Sequence, residues 1–199
     1  MGARTKSGDA VKFAERPLSA LDAIYVRRSV RSYTPERLDR STVEALLNAA
    51  IQAPTAMHEE PWTFAVVQDR GALDRISDRA KELWQAEAGH AELATRFSAH
   101  HESVFYNAGT LIVIGARTVT PFVVADCWLA AENLMLAACA LGLGSCVIGS
   151  AVPALNTPDA KVAAGIPADV TAIAPIVVGV PSGTVAPALR RDPEIVAWK

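Results

Sequence analysis

A short stretch near the start of the chain brings three guanidinium groups and a hydroxyl together. The sequence RRSVR places Arg27, Arg28 and Arg31 around Ser29. Guanidinium groups bind phosphate through paired, charge-assisted hydrogen bonds, and a hydroxyl adds a further donor. The same cations at the end of a helix could instead compensate the negative end of the helix dipole. The stretch therefore indicates either a phosphate site or a charged helix C-terminus.

A second stretch, APTAMHEEPW, places a polar loop between two apolar segments. Pro54 and Pro61 interrupt regular structure, and the residues between them are mostly polar. Met57 and Trp62, by contrast, are side chains that usually pack in a core. A loop of this composition is unusual for a simple turn, and it is a candidate ligand-binding loop.

Several other kinds of site are disfavoured. In GLGSCVIG, from Gly142 to Gly149, the glycines follow a helix and precede a strand, the reverse of a dinucleotide-binding fingerprint. No cysteine has a neighbouring histidine, and no GxSxG motif marks a serine nucleophile. His100 and His101 are adjacent and lack partners at metal-binding spacing. We therefore predict no metal site and no catalytic side chain.

Two helices are predicted to precede the loop. The first begins after Ser19, with Asp22 three residues later. The second begins at Ser41, with Glu44 completing a capping box, and it ends before Pro54. The apolar residues expected on the buried sides are Leu18, Leu21, Ile24 and Tyr25 in the first helix and Val43, Leu46, Leu47, Ala50 and Ile51 in the second.

The rest of the chain predicts an α+β fold with at least four apolar strands. The strand segments are WTFAVVQ, TLIVIGA, SCVIG and TAIAPIVVGVP, with a small helix between the last two. A long helix over residues 122–141 is apolar nearly all round. Because such a helix must be covered on several sides, it predicts the core of a dimer.

Composition favours one soluble domain of 199 residues with a net charge of −2. The scattered basic residues disfavour a nucleic-acid partner. Glycines and Pro153 break the uncharged run from Asn133 to Leu155, which disfavours a membrane span. Three cysteines without a pairing pattern fit a reducing cytoplasm. We expect residues 1–16 to be a mobile tail and residues 17–199 to form the domain.

In combination, these segments resemble the FMN-dependent nitroreductase family. YVRRSVRSY, AAIQAPTAMHEEPWTFAVVQD, AENLMLAACALGLGSCVIG, IVVGVP and RRDPEIVAW occur in that family's order over about residues 18–199. The resemblance implies a central mixed, mainly antiparallel sheet flanked by helices. It also implies an obligate homodimer with FMN sites at the subunit interface.

The resemblance assigns FMN-binding roles to three parts of the sequence. Arg27 and Ser29 would lie near the phosphate, and Arg31 would lie toward the pyrimidine edge of the flavin. The loop would reach the flavin of the other subunit. The full set of residues implied is Arg27, Arg28, Ser29, Arg31, Pro54, Thr55, Ala56, His58, Ile148, Gly149 and Arg191, with Arg190 in place of Arg191 if the alignment shifts by one.

The loop departs from the family pattern at three positions. Thr55 and His58 stand where relatives usually have Ser and Asn, and Glu60 stands where they have Gln. His58 introduces a charge that changes between pH 5 and 8, so contacts to flavin or substrate could become pH-dependent. Glu60 could disfavour anionic substrates or the extra phosphate of NADPH.

The resemblance implies an FMN oxidoreductase with ping-pong kinetics. NADH or NADPH would reduce the flavin, and a nitroaromatic, a quinone or another flat electrophile would accept the electrons. Relatives with the same fold cleave reduced flavin or remove halogen from an aromatic ring, so these reactions stay open. A protein that stores or senses FMN without turnover, or one that binds no flavin, is a further alternative.

Overall fold

A four-stranded antiparallel sheet organises the fold. The computed structural model describes residues 18–86, 103–183, 185 and 190–199. The strands are β1 (Trp62–Val67), β2 (Thr110–Ala116), β3 (Gly144–Val147) and β4 (Thr171–Gly179), in the order β1-β2-β4-β3. The helices are α1 (Ala20–Val26), α2 (Arg40–Ala50), α3 (Arg70–Ala86), α4 (Pro121–Ala140), α5 (Val152–Leu155) and α6 (Pro158–Ala164).

Helices cover both faces of the sheet. One face packs on α2 and α4, and the other packs on α3, α5 and α6. Successive residues of β2 point to opposite faces, so Ile112 and Ile114 join the first layer while Leu111 and Val113 join the second. This explains why β2 and β4 read as continuous apolar runs. The α+β prediction is confirmed.

Helix α4 is the apolar helix that the sequence predicted. Eight of its side chains are buried, and the small residues Ala130, Ala131 and Ala138 let it lie close to the sheet. Its length and composition would also allow it to cross a membrane, but 44% of its most apolar window is buried inside the fold. Phe122 and Trp128, on the uncovered part, are 71% and 40% exposed.

Helix α1 begins as predicted, but the prediction of its buried side is wrong. Ser19 caps it by accepting a hydrogen bond from the Asp22 amide. Its large apolar side chains Leu21, Ile24 and Tyr25 are 67%, 53% and 74% exposed, and Ala23 is its buried residue. Leu18, just before the helix, is also exposed. The side of α1 that carries the small residue Ala23 packs on the protein, because a small side chain permits close approach. The larger apolar side chains therefore face outward.

The predicted capping box of α2 is wrong. Asp39 is the N-cap and accepts a 2.7 Å hydrogen bond from the Thr42 amide, while Ser41 donates its hydroxyl to the Asp39 carboxylate. The two hydrogen bonds lower the pKa of Asp39. A carboxylate competes well for this place because its bond to an amide is charge-assisted. Of the expected core residues, Ile51 is exposed.

The small helix α6 has the ends that its sequence predicted. Pro158 stands at its first turn, and Gly165 ends it with a φ of 67°, a conformation that favours glycine. All three cysteines are free. The expected tail over residues 1–16 and the pair His100 and His101 lie outside the described residues.

Candidate functional site

The backbone of residues 27–34 is fixed against the edge of the sheet. Ser29 forms a parallel bridge with Ser145 of β3, and the Val30 amide donates to the Ser145 carbonyl at 3.0 Å. Farther along, Tyr33 forms an antiparallel bridge with Pro181. The parallel bridge makes the sheet mixed at this edge. We call Arg27, Arg28, Ser29 and Arg31 the arginine segment.

Three residues of the arginine segment influence one buried thiol. Burial raises the pKa of Cys146. The positive charge of Arg31, a hydrogen bond with Ser29 and the positive charge of Arg27 oppose that rise. An extended chain places alternate side chains on the same side, which explains why Arg27, Ser29 and Arg31 act together. The positive charges of Arg27 and Arg31 and the Ser29 hydroxyl therefore all act on the same buried thiol.

Arg28 acts differently from its neighbours. One of its terminal nitrogens donates to the Tyr25 carbonyl at 2.8 Å and to the Arg27 carbonyl at 2.6 Å. These carbonyls belong to the C-terminal end of α1, so Arg28 has the helix-compensating role that the sequence left open. The helix-compensating interpretation of RRSVR thus applies to Arg28, and the phosphate interpretation stays a prediction.

The surroundings of the arginine segment fit a phosphate and a flat ring. The Ser145 hydroxyl and the Arg28 Nε are buried, and neither has a hydrogen-bond partner within the described part of the chain. A Cβ built on Gly149 meets nothing within 4 Å, whereas Ile148 beside it is buried. Buried donors without partners are suited to a phosphate, and open space at a glycine allows a planar group to approach the backbone.

Gly144 has a packing role that the sequence did not indicate. A Cβ at this position would lie 2.8 Å from Val30 Cγ2 and 2.9 Å from Val30 Cβ, closer than real contacts allow. The bare backbone of Gly144 therefore lets the arginine segment approach β3. The motif GLGSCVIG contains a glycine needed for this approach, even though it is no dinucleotide fingerprint.

Tyr106 is a partner of Arg31 that the sequence did not indicate. Burial and Cys146 raise its pKa, and Arg31 lowers it through its charge and a hydrogen bond. The hydroxyl of Tyr106 therefore holds the Arg31 guanidinium. Tyr106 and Asn107 have φ values of 53° and 65°, and Asn107 accepts a 2.8 Å hydrogen bond from Arg70. No periodicity or motif indicates the contact between Tyr106 and Arg31, because the two residues are 75 positions apart.

The loop from Pro54 to Pro61 contains a short 3₁₀ helix, Ala56–His58, and is strained. Met57, His58 and Glu60 have φ values of 55°, 57° and 44°, which L-residues rarely adopt. Thr55 and Ala56 are half-buried, and Pro54 and His58 are exposed. Trp62, expected to anchor the loop, is buried at the start of β1.

Asp126 of α4 anchors the middle of this loop and was also missed by the sequence reading. The Ala56 amide lies 3.2 Å and 3.3 Å from the two oxygens of its carboxylate. Asp126 is only 5% exposed. An acidic residue in an apolar helix was the available signal.

The loop and the arginine segment contact different sides of α4. The loop meets Asp126, whereas Arg27 Nε lies 3.5 Å from Glu132 Oε1. Six residues of an α-helix turn by about 600°, so the two acidic side chains point roughly 120° apart. Within one chain, the described contacts therefore do not join the loop to the arginine segment.

Arg190 and Arg191 are exposed, and the described residues around them form no helix or strand. Their assignment to a phosphate stays a prediction. A cavity of about 480 Å³ between β1 and α6 is lined by Phe64, Arg117 and Ile166, among others. None of the candidate site residues lines this cavity, so we do not assign the flavin to it.

Comparison with known proteins places these features in one family. The family model described as "Nitroreductase family" matches residues 24–179. A protein of Archaeoglobus fulgidus named as an NADH dehydrogenase/NAD(P)H nitroreductase is 34% identical over 134 residues, which are 65% of this chain and 66% of that protein, just under two thirds of its length. Iodotyrosine deiodinase of Danio rerio is 39% identical over 57 residues, 29% of this chain and 19% of that protein.

Solved structures share the fold. The crystal structure of a nitroreductase with bound FMN from Desulfitobacterium hafniense superimposes with a TM-score of 0.82 and 21% identity, covering 90% of this chain and 98% of that one. The family model covers most of the chain, including the arginine segment, the loop and all four strands. The chain therefore belongs to the nitroreductase family.

Proposed function

We propose that the protein is an FMN-dependent oxidoreductase that takes electrons from NADH or NADPH and passes them to a flat acceptor. The observation that carries the proposal is the bridge from Ser29 to Ser145, which holds the arginine segment on β3, where the Ser145 hydroxyl and the Arg28 Nε are buried without partners among the described residues. The bound FMN of the Desulfitobacterium structure and the name of the Archaeoglobus relative support the same cofactor and electron donor.

Each part of the arginine segment has its own role in this proposal. Arg27 and Ser29 hold the phosphate, and Arg28 fixes the end of α1 and supplies its unused Nε. Arg31, held by Tyr106, lies at the pyrimidine edge, where a positive charge stabilises the anionic reduced flavin. Ile148 and Gly149 support the ring, and Arg191 or Arg190 adds a second cation at the phosphate. Bound FMN supplies the electron-transfer chemistry.

Two copies of the chain form the complete site. The exposed apolar side chains of α1 and α4, among them Tyr25 and Phe122, make a surface that a second copy would cover. The loop residues Pro54, Thr55, Ala56 and His58 then reach the flavin of the partner subunit. Residues 17–199 form the single domain, and the free thiols fit a cytoplasmic location.

The reaction is proposed to be ping-pong. Donor and acceptor use the same open side of the flavin in turn, and the protein orients them and excludes water. Acceptors are nitroaromatics, quinones or similar flat electrophiles. A second candidate reaction is reductive removal of halogen from an aromatic ring, which the 57-residue similarity to iodotyrosine deiodinase favours.

An anaerobic stopped-flow experiment tests the proposal. FMN-loaded protein is mixed with NADH or NADPH while the visible absorption of oxidised flavin is followed. Bleaching that a nitroaromatic or quinone reverses is the expected result, and release of iodide from an iodinated phenol would favour the second candidate. A protein that takes up no FMN contradicts the proposal, and one that stays oxidised is a flavin store or sensor.

A further inference from the structure

Asp126 is a buried acid whose described hydrogen bonds all go to the loop. Its two carboxylate oxygens lie 3.2 Å and 3.3 Å from the Ala56 amide nitrogen, and only 5% of the residue is exposed. A buried carboxylate costs free energy unless it is hydrogen-bonded, so this contact is expected to be retained whenever the loop has the described shape.

The loop has few other restraints in its middle. Between Pro54 and Pro61, the other described hydrogen bond is a 3.3 Å bond from the Glu59 amide to the Ala56 carbonyl, inside the loop itself. Met57, which follows Ala56 directly, has a φ of 55° and is 88% exposed, so no packing holds it there. Backbone in this region persists only when its surroundings fix it.

We propose that Asp126 is a positioning residue for the flavin site of the partner subunit. By accepting the Ala56 amide, it fixes Thr55, Ala56 and His58 in the arrangement that they present across the interface. This inference rests on the proposed function, because it requires a flavin and a second copy of the chain. We assign the effect to the partner's flavin because the loop and the arginine segment of one chain contact different sides of α4. The loop contacts Asp126, and the arginine segment contacts Glu132.

The first test measures FMN affinity by fluorescence titration of the homodimer after its flavin has been removed. Asp126→Ala is expected to raise the FMN Kd roughly tenfold, the effect of losing one hydrogen bond to a charged group. Asp126→Asn keeps one acceptor oxygen and is expected to have a smaller effect. The matched control is Asp169→Asn, an exposed acid paired with Arg117 at 2.7 Å, and it leaves the Kd unchanged.

A second substitution separates positioning from a purely structural role. Asparagine adopts positive φ more readily than methionine does, so Met57→Asn is expected to stabilise the loop shape without Asp126. Added to Asp126→Asn, it should recover part of the lost FMN affinity. A Kd for Asp126→Ala within twofold of wild type overturns the inference. So does a loss of thermal stability in Asp126→Asn with no change in Kd.

Complementation between subunits tests the direction of the effect. Chains carrying Arg27→Ala and Asp126→Ala are co-expressed with different tags, and the heterodimer is isolated. If Asp126 serves the partner's flavin, one site combines the intact arginine segment of one chain with the intact loop of the other. Half of the heterodimer's sites then bind FMN with the wild-type Kd, whereas every site of either mutant homodimer binds with a Kd raised roughly tenfold.

If Asp126 serves its own chain's site, both sites of the heterodimer are damaged and neither has the wild-type Kd, which overturns the inference. Asp126→Asn replaces Asp126→Ala if the alanine variant does not fold. Failure of the proposed function gives a different result, because the wild-type protein then binds no FMN at all. Wild-type binding together with unaffected Asp126 variants contradicts the inference alone.

Discussion

The arginine segment and the loop 54–61 are both candidate binding elements, but they are held in different ways. Residues 29–34, which include Ser29 and Arg31 of the arginine segment, are tied to the sheet by backbone hydrogen bonds to residues 145 and 180 and by bridges to Ser145 and Pro181. The loop has three residues with positive φ and one described side-chain anchor, Asp126. The conformation of the arginine segment is fixed by backbone pairing with the sheet, whereas that of the loop depends on one side chain distant in sequence.

This difference indicates where each element can vary. A segment held by its backbone can change side chains without losing its path, so its chemistry is set by the residues it carries. A loop held by one carboxylate loses its shape when that residue or its own strained positions change. Substitutions in the first element should therefore act on local contacts, while those in the second should act on geometry.

The largest expected effect comes from blocking the contact between the arginine segment and β3. Gly144→Ala places a Cβ against Val30 and is expected to lower the free energy of unfolding by about 3 kcal/mol, at the upper end for overpacking. Urea denaturation of the flavin-free protein measures it. Gly149→Ala is the matched control, because its Cβ has open space and should leave that stability unchanged. Equal stability of both variants would show that the contact between Gly144 and Val30 does not limit the packing of the arginine segment on β3.

Removing one cation from the arginine segment should affect binding and spare the backbone. Arg27→Ala is expected to weaken FMN binding by about 1.5 kcal/mol, the loss of a charge-assisted hydrogen bond. Flavin titration measures it, with Arg40→Ala as control, since the Arg40 side chain is 91% exposed and pairs with Glu44. If the two variants have the same affinity, Arg27 is not in the site.

A smaller effect is expected at the far end of the same backbone path. Tyr33→Phe removes a buried hydrogen bond of 2.8 Å to the Val30 carbonyl and should lower the free energy of unfolding by about 1 kcal/mol. Tyr25→Phe is the control, because Tyr25 is 74% exposed. A stability loss at Tyr25 that matched the one at Tyr33 would argue that the contact with Val30 contributes nothing specific.

The smallest expected effect measures the strain in the loop. Met57→Asn should raise the free energy of unfolding by about 0.5 kcal/mol, because asparagine pays less for a φ of 55°. Met57→Leu keeps an apolar side chain with the same backbone cost and should give no gain. Thermal denaturation of both variants decides whether the loop is strained in the free protein.

Much of the fold could be predicted because its signals are local. The strand segments, the cap at Ser19 and the end of α6 at Gly165 each depend on residues within a few positions of one another. The buried side of α1 could not be predicted, since periodicity finds an apolar stripe but does not tell whether it faces its own core or another copy. The N-cap of α2 was displaced by two residues because two capping side chains competed.

The sequence proposed the candidate site residues, while the residues that hold them in place were missed. RRSVR identified the guanidinium groups, and the resemblance identified the loop and Gly149. Tyr106, Asp126 and the steric role of Gly144 depend on contacts across 70 or more positions of the chain. Such contacts leave no periodic trace in a single sequence, because only the folded chain brings their partners together.

The position of β4 in the sheet has a consequence for synthesis on the ribosome. β3 has β4 as its strand partner. The arginine segment is tied to β3, and Tyr33 and Thr34, which follow it, are tied to Pro181 and Val180. A nascent chain can pair β1 with β2, but it cannot set the arginine segment in place until residue 181 has left the exit tunnel. If the arginine segment holds the flavin as proposed, cofactor loading is expected to follow translation of the whole sheet. Stalling synthesis before β4 and assaying the ribosome-bound chain for flavin capture would test this order.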